Sequence, residues 1–216
     1  MYFIFLGPPG AGKGTQAKIL SKEIKIPHLS TGEILRTITE TNNDIGKSLK
    51  DVMAKGHLVS DDLITKVVEE RILLEDCKNG FILDGFPRTI IQANNLEKIL
   101  KKNNININSV IQIDVDDEIL IKRIEGRQVC KKCNKIYNKY SDPFPKDGCY
   151  ECGEKDIMTR SDDEEDAFKN VRLKKYNEET MPLIEYYNKK NQLYFIDGSS
   201  SANKIAEKIL KFIKKI

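Results

Sequence analysis

The sequence predicts an α/β fold, a three-layer α/β/α arrangement around a five-stranded parallel sheet. Short continuous apolar runs recur along the chain, as in "YFIFL" (2–6), "GFILDG" (80–85), "SVIQIDV" (109–115) and "QLYFIDG" (192–198). Runs of this kind suit strands buried on both faces. Amphipathic stretches separate them, the alternation from which parallel sheets with helical crossovers are built. The first run also leads directly into "GPPGAGKGTQ" (7–16), a glycine-rich turn between a buried strand and a helical pattern.

Each element follows in order. After the first strand, Lys13 to Lys22 show helical spacing with Ala17 and Leu20 on one face. "PHLST" (27–31) is a brief second strand, and Thr31 is placed to cap a helix reaching about Glu40. Helices are expected over 45–54 and 61–75, then the third strand at 80–85 and a helix over 89–102. The fourth strand, 109–115, precedes a short helix over 117–124. Beyond Gly126 the periodicity stops until Asp163 or Glu164, where a long helix is expected to begin. The fifth strand is at 192–198, and Ile205, Ile209, Phe212 and Ile216 mark a closing amphipathic helix with a solvated lysine face. Parallel sheets gather ligands at the carboxyl ends of their strands, so the chemistry is expected after Leu6, Leu29, Leu83 and Val115.

Composition narrows the classes. With 36 basic against 33 acidic residues in 216, the net charge of +3 gives no argument for a nucleic-acid partner. No apolar run approaches the ~20 residues of a membrane span. Met1 is followed by neither a basic segment nor a cleavage-like site, so a cytoplasmic protein is expected. His28 and His57 read as loop or surface residues, and Cys77 as a small buried apolar side chain.

Gly7 to Lys13 fit G-x-x-x-x-G-K. Glycines let successive backbone N–H groups converge on an anion, the following helix adds its positive end, and Lys13 supplies an ammonium for the outer phosphates. A metal-binding hydroxyl would ordinarily follow that lysine; here Gly14 intervenes and Thr15 comes one residue late. Gly14 is read as leaving space for a second phosphate carrier. Asp84 ends a buried strand where a carboxylate can hold Mg²⁺ directly or through water, and Arg88 emerges from the same turn.

The other strong pattern is Cys130-x2-Cys133-x15-Cys149-x2-Cys152. Two thiolate knuckles suit a closed tetrahedral Zn²⁺ site of structural purpose. It falls in the aperiodic stretch, whose few apolar residues leave folding energy for a metal to supply. Iron in the same site, two disulfides, or a nucleic-acid-binding ribbon are the alternatives.

"GPPGAGKGTQ", "STGEILR" (30–36), "KGHLVSD" (55–61), "LDGFPRT" (83–89) and "RTIIQA" (88–93) together resemble the adenylate kinases, in order and across essentially the whole chain. The resemblance implies a P-loop core at 1–29, 60–126 and 164–216, a helical nucleoside-monophosphate-binding insertion at 30–59, and a zinc-binding lid at 127–163. It implies reversible, Mg²⁺-dependent phosphoryl transfer from ATP to AMP, giving two ADP, by a monomer with no nucleic-acid or membrane partner. ATP would be held by Gly10, Ala11, Gly12, Lys13, Gly14, Thr15, Arg123, Arg127 and Tyr137. AMP would be held by Thr31, Arg36, Val59, Gly85, Arg88, Gln92, Arg160 and Arg172. Lys13, Asp84, Arg88, Arg123, Arg160 and Arg172 would carry catalysis, and Asp162 with Asp163 would form the lid's return hinge. The chain has one residue more than the family pattern between that acidic pair and Arg172. Arg172 is anchored instead from Tyr176 and Pro182, with Lys169 as the alternative. A bulge near Asp166 would absorb the extra residue. "RTIIQA" resembles AMP-selective members more than pyrimidine-directed relatives. The remaining readings are a UMP/CMP or broad-specificity monophosphate kinase, and a zinc-ribbon P-loop ATPase that binds nucleic acid.

Overall fold

The structure is a computed structural model that describes residues 1–40, 44–160, 163–164 and 166–216. Five parallel strands form the main sheet: β1 (Tyr2–Leu6), β2 (His28–Ser30), β3 (Phe81–Asp84), β4 (Ser109–Asp114) and, last in the chain, β8 (Leu193–Asp197). Their spatial order is β2-β3-β1-β4-β8, with Ile4 opposite Leu83 on one side and Val110 on the other. The sequence-predicted parallel sheet is therefore present, and β1 lies at its centre.

Period-two alternation divides the core into two layers. Ile4, Leu6, Phe81, Leu83 and Val110 face α4 (Asp61–Ile72) and α5 (Ile90–Lys102), joined by Leu183 and Tyr187 of α7 (Pro182–Lys189). Phe3, Phe5, Ile82, Ile111 and Ile113 face α1 (Lys13–Ile24), α6 (Asp117–Glu125) and α8 (Ala202–Ile213). Apolar residues face both ways because both sheet faces are covered, which is why the strands read as continuous runs.

Two excursions leave the main sheet, the first still adding Leu35 and Leu49 to the core. Residues 30–59 contain α2 (Thr31–Thr39) and α3 (Asp44–Ala54). Ser30, not Thr31, caps α2: its Oγ accepts from the Glu33 N–H at 3.4 Å. Thr31 is already helical, and its hydroxyl donates to the Asp84 carbonyl at 3.2 Å. The helix predicted over 61–75 ends at Ile72, and a separate 3₁₀ turn covers Glu75–Cys77.

The second excursion corrects the sequence reading. The aperiodic stretch contains a small antiparallel sheet, β6-β5-β7, from β5 (Arg127–Cys130), β6 (Ile136–Asn138) and β7 (Ile157–Met158). Strands this short show no hydrophobic period.

The long helix expected from Asp163 or Glu164 is not a plain α-helix. Asp166–Leu173 and Tyr176–Thr180 wind with the wider π pitch before α7 begins at Pro182. The Met181 N–H, for example, donates five residues back to the Tyr176 carbonyl at 2.9 Å. Such winding takes in extra residues without breaking a helix, and it starts where the sequence reading places a bulge.

Candidate active site

Elements from the whole chain converge on one cleft of about 740 Å³ at the carboxyl end of the main sheet. Its floor is the phosphate loop. Gly12 takes φ 95° as the N-cap of α1, and no side chain caps that helix. That positive φ, rather than any neighbouring atom, disfavours a β-carbon there. The uncapped helix end with its loop makes an anion cradle.

Lys13 reaches across this cradle, and its ammonium donates to the carbonyls of Gly7 at 2.7 Å and Pro8 at 2.9 Å. Loss of hydration pushes its pKa down to about 8; Asp84 opposes that shift, and Arg88, Arg172 and Arg127 add to it. This value lies below the ordinary lysine value of 10.5. The cost of burying the charge is therefore present below pH 8 and relieved as pH rises toward 10.5. A polyphosphate held in this cradle would need the ammonium, so its affinity should weaken about fivefold between pH 8 and 9, with proton uptake on binding in that window. Calorimetry without divalent metal, in buffers of different ionisation enthalpy, measures both. Lys13→Met should abolish the pH dependence.

Behind Lys13, Asp84 Oδ2 lies 3.1 Å from Nε2 of His28. Burial opposes ionisation of Asp84, but the His28 hydrogen bond and the Lys13 charge hold its pKa below the usual value. His28 is thus neither a loop nor a surface residue: it lies on β2, and its side chain is 7% exposed. A lone histidine in a three-residue strand gives no sequence signal of the carboxylate opposite. The same carboxylate accounts for Gly14, where a β-carbon would stand 3.2 Å from Asp84 Oδ2. The space beside Lys13 thus borders the aspartate as well as the open cleft. Thr15 is exposed on the cleft wall.

Cationic side chains enter from every direction: Arg36 from α2, Arg88 after β3, Arg123 from α6, Arg127 from β5, and Arg160 and Arg172 after β7. Arg88 Nε donates to the Gly85 carbonyl at 2.8 Å. The Arg123 guanidinium donates to the carbonyls of Ala11 at 3.3 Å and Gly198 at 2.8 Å. Arg127 and Arg172 share one carboxylate, Asp163, at 3.0 and 2.7 Å. Of the acidic pair expected at the hinge, Asp163 is this shared carboxylate and Asp162 lies outside the described residues. Lys169, the alternative to Arg172, does not line the cleft.

On the opposite wall are Thr31, Val59, Gly85 and Gln92. Gln92 is 2% exposed. Its Oε1 accepts from the Arg88 backbone N–H at 2.7 Å, and its Nε2 donates to Asp61 at 2.7 Å. Tyr137 borders the cleft but is 1% exposed, and its hydroxyl donates to Cys149 Sγ at 3.2 Å. That hydroxyl is committed to the cysteine knuckle.

Sequence reasoning missed one part of the wall and one residue behind it. Ser199, Ser200, Ser201 and Ala202 line the cleft beside Arg123, because they follow the carboxyl end of β8. The strand-end rule, applied to the fifth strand as to the others, finds them. Asp61 was also passed over, although it closes the "KGHLVSD" segment.

The four knuckle thiols lie within 4.8 Å of one another, with Cys130–Cys152 and Cys133–Cys149 each at 3.5 Å. Tetrahedral zinc with Zn–S of about 2.3 Å places sulfurs about 3.8 Å apart, so the donor set fits a closed zinc site. All four are free thiols at non-bonded distances, which disfavours the disulfide reading. Burial opposes ionisation of Cys149, yet the Tyr137 hydroxyl and the Glu151 and Cys152 backbone N–H groups hold its pKa below the ordinary value.

No helix among the described residues is long and apolar enough to cross a membrane. A family model described as adenylate kinase matches residues 5–192. Proteins named adenylate kinase align with the chain nearly end to end. That of Thermosipho africanus (strain TCF52B) is 42% identical over 216 residues, covering 100% of both chains. That of Thermoanaerobacter sp. (strain X514) is 47% identical over 212 residues, covering 98% of this chain and 97% of its own. That of Methanocella arvoryzae is 44% identical over 217 residues, covering 100% of both.

Proposed function

The chain belongs to the adenylate kinase family and transfers a phosphoryl group reversibly between ATP and AMP, and we propose that the two nucleotides meet between the phosphate loop and Arg88. The observation that carries this reading is the convergence of Lys13 and six arginines (Arg36, Arg88, Arg123, Arg127, Arg160 and Arg172) on one cleft. Phosphoryl transfer asks a protein for little covalent chemistry. It asks for alignment, and for positive charge where negative charge spreads over the transferring oxygens.

Gly10, Ala11, Gly12, Gly14 and Thr15 would cradle the donor phosphates with Lys13, while Arg123 and Arg127 close over them. Arg36 and Arg88 would hold the acceptor phosphate, and Thr31, Val59, Gly85 and Gln92 its nucleoside. Arg160 and Arg172 would neutralise the group in transit. A nucleotide phosphate, with more acceptor oxygens and more charge than one carboxylate, would compete with Asp163 for Arg127 and Arg172. The acceptor phosphate has a second pKa near ~6 and arrives deprotonated, so the residues need not supply a general base.

Mg²⁺ arriving with ATP would supply charge neutralisation between phosphates. Asp84, with one oxygen already engaged by His28, is suited to hold its waters. Residues 30–59 would act as the acceptor-binding insertion and 127–163 as the lid, with a structural Zn²⁺ on Cys130, Cys133, Cys149 and Cys152. Lid closure around both nucleotides keeps water from competing as acceptor. We read the protein as a monomer and place it in the cytoplasm.

A coupled assay of ADP formation with AMP, UMP, CMP, GMP and IMP as acceptors tests the assignment. AMP should be preferred by at least about tenfold. Robust transfer to UMP with none to AMP would overturn it. No ADP from ATP plus AMP, with a steeply salt-dependent affinity for RNA, would establish the nucleic-acid-binding reading instead.

A further inference from the structure

We infer that Asp61 is a positioning residue that sets acceptor-base selectivity by fixing which way the Gln92 amide faces; this rests on the assignment of Gln92 to the acceptor base. An amide side chain can present its oxygen and nitrogen in either of two orientations, and a free glutamine recognises a base edge both ways. Adenine presents an amino donor beside a ring-nitrogen acceptor. Hypoxanthine, with the same ring size, presents a carbonyl acceptor beside an N–H donor. A rotated amide therefore exchanges preference between them.

Two partners remove that freedom here. The Arg88 backbone N–H can only donate, and it meets Gln92 Oε1 at 2.7 Å. The Asp61 carboxylate is acceptor-only when ionised, and it meets Gln92 Nε2 at 2.7 Å. Rotating the amide would set oxygen against carboxylate and nitrogen against N–H, two repulsions inside a site where Gln92 is 2% exposed. After both bonds, Gln92 retains one N–H and one oxygen lone pair, the complement of the adenine edge.

Asp61 is itself held. The Thr89 hydroxyl donates to its two oxygens at 3.2 and 3.3 Å, and Thr89 Oγ accepts the Gln92 backbone N–H at 3.1 Å as the N-cap of α5. The first residue of α4 and the first turn of α5 thereby form one unit at the boundary of the 30–59 insertion. Asp61 does not line the cleft, so it acts through Gln92 and not by touching the nucleotide.

The test is steady-state kinetics of the full chain with AMP and IMP as acceptors. Asp61→Ala should raise KM for AMP about tenfold and cut the AMP-to-IMP ratio of kcat/KM about tenfold, while KM for ATP stays within about twofold. Asp61→Ser, which keeps a polar residue in the first turn of α4, should show the same shift. Asp61→Asn, which retains an accepting oxygen, should restore the ratio to within about threefold of the parent. An unchanged AMP-to-IMP ratio in both Asp61→Ala and Asp61→Ser would overturn the inference. So would a loss of activity that falls equally on both acceptors. Gln92→Leu separates the two levels: if it leaves the ratio unchanged, the base assignment fails and this inference with it. If Gln92→Leu collapses the ratio and the Asp61 variants do not, only the positioning role is lost.

Discussion

Replacing Lys13 with methionine should lower turnover by about 10³-fold, the scale for removing a preorganised charge from a transition state, and should leave the fold intact. The two halves of this expectation come from the same geometry. Lys13 rests on the Gly7 and Pro8 carbonyls, with its pKa pushed down to about 8 by loss of hydration. An ammonium so placed is costly to the empty protein and valuable once phosphates arrive. Methionine keeps the length of the stem and removes the charge, so the nucleotide-free variant should melt at or slightly above the parent temperature. The loss should fall on kcat more than on KM for ATP, because the loop N–H groups still bind phosphate. A variant that unfolds, or one that keeps full turnover, would contradict the role assigned here.

Removing metal from the four-cysteine knuckle should produce the largest stability effect. Metal analysis should find about one zinc per chain. The knuckle's buried cluster is small: Cys130, Tyr137 and Cys149, with Cys133, Phe144 and Cys152 packed against it. Three short strands and that cluster give little burial to offset chain entropy, so bonds to a bound metal would supply the missing stability. Cys149→Ser should therefore bind substoichiometric zinc and lower the melting temperature by about 10 °C, the scale of several kcal/mol in a chain of this size. Activity should fall with it, since Arg127 and Arg160 flank the same segment. The main sheet has its own core in both layers and should keep its far-ultraviolet signal. Four thiols that alkylate rapidly in the native protein, with no metal lost, would count against a closed site.

Much of the fold was legible from local pattern. The buried runs at 2–6 and 109–115 appear as β1 and β4 because a strand covered on both faces needs apolar residues at every position. α1 and α8 followed from helical spacing of Ala17 with Leu20 and of Ile205 with Ile209. Departures came where short-range pattern is weakest. β7 is two residues long, too short for any period. The wide helical turns from Asp166 carry ordinary helix-forming residues, and nothing in composition separates a five-residue hydrogen-bond step from a four-residue one. Ser30 took the capping role expected of Thr31 because either hydroxyl suits an N-cap, and the register of β2 decided between them.

The sequence by itself determined the chemistry available: a glycine-rich loop with its lysine, a carboxylate and an arginine on one turn, and four thiols at metal-ligand spacing. Each is a residue type at a short spacing, readable along a line. Only the tertiary structure decided which groups restrain one another. His28 holds Asp84 across 56 residues, Asp61 orients Gln92 across 31, and Asp163 joins Arg127, 36 residues away, to Arg172. The reason is physical: these pairs are brought together by sheet order and helix placement, and no local period records them. Gly14 shows both sides. Its missing side chain is plain in the sequence, but that it makes room for Asp84 became visible only when β3 was set beside β1.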